Sequence, residues 1–140
     1  MLTVVCGALL LAAVGCSGKT KPSIKSVVLT NSVTSKPTSS GDQQITAGPA
    51  MTTFGSHDTI HAVILISGNS ANPSVSADFI AVSAGGVQNH DISRVDGQLD
   101  KSHNQYDAKL SNSNPWPSGS YRVDIYLNNN LVKSLNYSVQ

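Results

Sequence analysis

Histidine and aspartate supply most of the side chains in this chain that could carry acid–base or metal chemistry. The sequence holds four His and eight acidic residues, and every acid is Asp. The densest group is His57-Asp58-Thr59-Ile60-His61, with His90-Asp91 and His103 further along. Imidazole and carboxylate are both zinc ligands, and a catalytic zinc needs three protein ligands plus a water. The spacing argues against such a site. On a strand, His57 and His61 stand about 13 Å apart, at roughly 3.3 Å per residue. These histidines are therefore read as loop or edge residues, and no metal or other cofactor is expected. No Gly-x-Ser-x-Gly elbow, phosphate loop or Cys–His nucleophile pair occurs. The chain is not expected to be an enzyme.

The aromatic residues offer a second kind of chemistry. Trp116 is the single Trp and sits between Pro115 and Pro117, which stiffen its backbone. Its default role is a plug over one end of a core. The alternative is an exposed platform on which, with Tyr126 and Tyr137, a sugar ring could stack. That second reading makes the chain a carbohydrate-binding module. Arg122, Asp124 and Lys133 lie close by in sequence and are read as solvated charges.

These residues must be positioned by strands. From Trp116 to Val139 the sequence WPSGSYRVDIYLNNNLVKSLNYSV alternates twice with a period of two, the mark of a pleated backbone. Tyr121, Val123, Ile125 and Leu127 share one side of the first run. Leu131, Lys133, Leu135, Tyr137 and Val139 share one side of the second. Asn128-Asn129-Asn130 between them suits a hairpin turn, because Asn tolerates positive φ. An isolated hairpin is marginal in water and needs further strands to cover it. Those are supplied by Ile24–Thr30, Thr59–Ser67, Val75–Ser83 and Gln105–Ser111. The run TIHAVILIS is apolar on both sides and reads as a central strand. Phe54 is expected in the core. Asn31–Gln44 carries no periodic apolar face and reads as a loop. Val87–Asn104 is polar and irregular, with one short strand expected between loops.

Residues 2–15 form an apolar run, LTVVCGALLLAAVG, ahead of Cys16. Its length is that of the hydrophobic core of a signal peptide, short of the roughly 20 residues that cross a bilayer as a helix. An ordinary cleaved signal or a buried apolar segment of the fold would read the same way. The tetrad Ala13-Val14-Gly15-Cys16 resembles the lipobox of bacterial lipoproteins. The resemblance implies cleavage before Cys16 and a lipid on its thiol, anchoring the chain to a membrane. Residues 1–15 are then a signal peptide, 16–23 a lipidated cysteine and tether, and 24–140 one domain. It also implies a place in the bacterial cell envelope, at the outer membrane if the source is Gram-negative.

Six to eight short strands in one domain suggest a two-sheet sandwich. The last third also resembles fibronectin type III and related immunoglobulin-like domains, on Leu110, Pro117, Tyr121, Val123 and Ile125. That resemblance implies an all-β, immunoglobulin-like antiparallel sandwich in which the Tyr121 hydroxyl bonds back across a corner. Net charge is +1, too weak and evenly spread to indicate nucleic acid. The sequence is thus expected to encode an envelope lipoprotein. Its domain would bind or scaffold an envelope protein or glycan, with no nucleic-acid partner.

Overall fold

Tyr121, Val123, Ile125 and Leu127 turn into the core together, each no more than 7 % exposed. They belong to β9 (Gly119–Leu127), the middle of the largest sheet. The computed structural model describes residues 21–68, 72–100 and 102–140. Over these residues the chain is all-β. Its other strands are β1 (Ser23–Thr30), β2 (Val33–Pro37), β3 (Gln43–Ala47), β4 (Thr53–Phe54) and β5 (Ile60–Ser67). They are followed by β6 (Ser74–Ala84), β7 (Val87–Gln98), β8 (Gln105–Leu110) and β10 (Asn130–Val139).

Two sheets enclose the core, one ordered β1-β5-β8 and the other β4-β10-β9-β6-β7. All pairs within them are antiparallel except β4 with β10, which run parallel over Ser138–Val139. Ile60, Ala62, Ile64 and Ile66 of β5 face Val75, Ala77, Phe79 and Ala81 of β6 in one apolar cluster. Burying a side chain of the Ile or Phe class stabilises by roughly 1.5–3 kcal/mol relative to exposure, so this layer carries much of the fold. Phe54 is 1 % exposed and meets the Tyr137 ring edge-on at 5.5 Å between centroids. Tyr121 Oη donates to the Pro117 carbonyl at 2.6 Å. This is the corner bond that Tyr121 was expected to make.

The β9–β10 link is a two-residue turn, with Asn128 at φ 50° and Asn129 at φ 63°. A bulge between Leu131 and Lys133 then changes the expected face pattern. Leu135, Tyr137 and Val139 sit opposite the inward face of β9, whereas Leu131 pairs with outward-facing Tyr126. One inserted residue reverses every side chain beyond it.

Two stretches differ from expectation. The segment read as a loop contains β2 and the start of β3, which form a hairpin paired from Val33↔Ala47 to Pro37↔Gln43. The region read as loops with one short strand contains β7, twelve residues long. Both are exposed over most of their length, so neither carries the half-buried alternation that reveals a strand in sequence.

Candidate functional site

The outward face of the five-stranded sheet concentrates charge. Strand register sets Asp78 of β6 opposite both Arg94 of β7 and Asp124 of β9. Two carboxylates directly opposite one another repel, so each needs its own cation. Arg94 Nη1 donates to Asp78 Oδ2 and its Nε to Asp96 Oδ1, both at 3.0 Å. Arg122 Nε donates to both Asp124 oxygens, at 3.0 and 3.1 Å, and Ser134 Oγ donates to Oδ1 at 2.5 Å. Asp124 is only 5 % exposed, which corrects its reading as a solvated charge. Its neighbours on the sheet cover it, and the guanidinium and hydroxyl satisfy it.

The Arg94 guanidinium carbon lies 4.8 Å from the centroid of the Tyr126 ring. Hydrogen bonds from Ser76 and then Arg94 hold the Asp96 carboxyl below the ordinary carboxylate range. In return, the hydrogen bond to Asp96 raises the Arg94 guanidinium, although burial opposes it. Ser74, Ser76, Asp96, Gln98 and Asn129 line a shallow depression beside this network.

The sheet ends at β7, whose far side carries no strand among the described residues. A mostly exposed backbone edge therefore runs along the charged network. On the inward side of β7, Val87, His90 and Ile92 border a small apolar pocket of about 160 Å³, closed by Trp116 and Pro117. Gly85 makes the tight approach possible: it has φ +57°, and a Cβ there would stand 2.9 Å from Pro117 Cγ.

The residues singled out in the sequence do not converge. Trp116 is 7 % exposed, and its Nε1 donates to the Asp58 carbonyl at 3.0 Å. Tyr137 is 4 % exposed and stacks on Tyr121 at 5.3 Å. Tyr126 is half-buried on the opposite face of the sheet, under Arg94. The three therefore share no surface on which a sugar could stack. Cys16 lies outside the described residues.

The histidines are also dispersed. His61 Nδ1 lies 2.9 Å from Asp107 Oδ2 on the β1-β5-β8 sheet, while His57 and His90 are exposed. His103 Nδ1 lies 2.8 Å from Asp100 Oδ1, and Nε2 lies 3.5 Å from Asp42. Ser102 Oγ contacts the same Nδ1 at 3.1 Å. A hydroxyl and a carboxylate on one ring nitrogen do not make a nucleophile–base–orienter relay, which needs both nitrogens. Among the described residues no group of three or more His, Cys, Asp or Glu could hold a metal ion. The sequence reading missed Asp78, Arg94 and Asp96, because their pairing depends on β7.

No protein-family model matches the sequence, and no curated protein matches it. Among solved structures, the chain is similar to Pseudomonas fluorescens alkylpurine DNA glycosylase AlkC bound to DNA containing an abasic site analog. The TM-score is 0.41 at 10 % identity, and the match covers 81 % of this chain but 30 % of the glycosylase. Two expectations find no support in these comparisons. They are the membrane-anchored envelope lipoprotein that binds or scaffolds envelope components, and the partner set without nucleic acid. The physical fault lies in the inference from charge. A net charge of +1 is a whole-chain sum, whereas phosphate contacts are local. The likeness itself carries no DNA binding over to this chain.

Proposed function

We propose that the domain is a polypeptide-recognition module that takes an extended segment as an added strand along the free side of β7. The observation that carries this reading is the position of β7: a twelve-residue strand at the end of its sheet, most of it exposed. Strand addition draws affinity from main-chain hydrogen bonds and specificity from pockets for alternate side chains. Both resources lie side by side here. Outward-facing side chains of the guest would meet the network of Arg94, Asp78 and Asp96. Inward-facing ones would reach the apolar pocket bordered by Val87, Ile92 and Trp116. The role requires no turnover.

The test is amide hydrogen exchange on the protein with and without peptides selected from a random extended-peptide library. Bound peptide is expected to slow exchange at β7 amides while β1 and β8 stay unchanged. Peptides that protect only loops, or DNA binding with no protection of β7, would remove the reading.

A further inference from the structure

The five-stranded sheet has a second open edge. β4 covers β10 only at Ser138 and Val139, so β10 from Asn130 to Asn136 has no strand on its far side among the described residues. We infer that the strand added to β7 is β10 of a second copy, so that the sheet continues head-to-tail from one molecule to the next. This inference rests on the strand-addition reading above and names its partner.

Strand direction supports it. β10 is antiparallel to β9, β9 to β6, and β6 to β7. Three reversals leave β7 and β10 running in opposite directions. A second molecule placed beside the first in the same orientation therefore presents its β10 antiparallel to β7. The core-facing and outward faces of the two sheets stay in line, and neither molecule has to turn over.

Surface chemistry points to the same two edges. Three large apolar side chains are exposed among the described residues: Val87 at 42 %, Leu131 at 55 % and Val132 at 47 %. Val87 begins β7, and the other two lie on the open part of β10. The two edges differ in charge as well. β7 carries Asp91 and Asp96 against Arg94, whereas Lys133 is the one charged residue of β10. The Arg94 network engages Asp96 and leaves Asp91 as the carboxylate of β7 outside it.

An interface between two different edges is heterologous, so it propagates instead of closing as a two-fold dimer does. Lys133 and the bulges in both strands blunt the edges, as natural sheets do to restrain such growth. Assembly is therefore expected to rise with concentration and to be reversible.

The experiment uses the full chain in four samples, followed by sedimentation velocity. These are the wild type, a β7-edge variant (V87K with D91K), a β10-edge variant (L131K with V132K), and the two variants mixed. All four positions are exposed, and unchanged thermal unfolding would confirm that the variants fold. The wild type is expected to show species that grow with concentration, and each variant alone to lose them. The mixture should recover a one-to-one dimer and nothing larger, because each partner keeps one working edge. A wild type whose sedimentation does not change with concentration overturns the inference. So does a variant that still assembles alone, or a mixture that stays unassociated. In those cases, peptide protection of β7 would leave the recognition reading standing, and its absence would remove that too.

Discussion

Two tyrosines stacked on each other show how the same side chain can help or burden a core. Tyr121 Oη donates to the Pro117 carbonyl at 2.6 Å, whereas Tyr137 Oη is buried with no hydrogen-bond partner. A buried polar group without a partner carries its desolvation cost uncompensated. Tyr137→Phe is therefore expected to leave stability unchanged or raise it by about 1 kcal/mol. Tyr121→Phe should lower it by about 0.5–1.5 kcal/mol. Urea unfolding of both variants checks the contrast, and a loss for Tyr137→Phe as large as for Tyr121→Phe would refute it.

His103 gives a pH prediction at the same scale. Its imidazole is raised above the ordinary range by the hydrogen bond and charge of Asp100, and further by Asp42. A raised folded-state value means the ion pair contributes fully below the ordinary imidazole range of about 6.5. The contribution is then lost as pH climbs through the folded value. Asp100→Asn should return the His103 titration, followed by NMR, toward the ordinary range. No movement would show that Asp100 is not the cause.

Among the elements, β7 is held to the opposite sheet at Gly97. A Cβ at this position would fall 2.2 Å from Cε2 of Tyr106, whose hydroxyl donates to the Asp96 carbonyl at 2.8 Å. Gly97→Ala is expected to destabilise by about 1–3 kcal/mol, the usual cost of overpacking. In Tyr106→Ala the same substitution should cost much less, because the ring that it strikes is gone. A double-mutant cycle by thermal unfolding measures this coupling; additive effects would mean that the strain lies elsewhere.

The half-buried strands were legible at this scale, the exposed ones were not. β5, β6, β9 and β10 declare themselves through apolar alternation, and Asn128-Asn129 through the positive φ that Asn tolerates. β2, β3 and β7 keep most side chains in water, so their sequence is free to be polar and aperiodic. The bulge at Val132 was equally hidden. It is a property of pairing with β9, and it moves Leu131 away from the face that a regular strand would give it.

At the scale of the molecule, Trp116 reports on the closed sandwich. Its ring is buried, its Nε1 holds the Asp58 carbonyl, and its backbone N–H donates to the Ser56 carbonyl at 2.7 Å. It thereby ties the loop ahead of β5 to the segment ahead of β9. Its emission should be blue-shifted in the folded protein and move to the red in one step with loss of the far-UV β signal. Soluble oligosaccharides should leave it unmoved. A sugar-dependent shift would contradict the buried placement.

Alternating apolar residues and turn asparagines were enough to establish an all-β chain with β5 as a central strand and a β9–β10 hairpin, because burial of one strand face leaves a local imprint of period two. Which strands end each sheet, which carboxylate meets which guanidinium, and whether Trp116, Tyr126 and Tyr137 share a surface were settled only by the tertiary structure. Asp78 and Arg94 are sixteen residues apart and touch only because β6 and β7 pair in one register. Register follows from how the whole core closes, and no single stretch of sequence contains that closure.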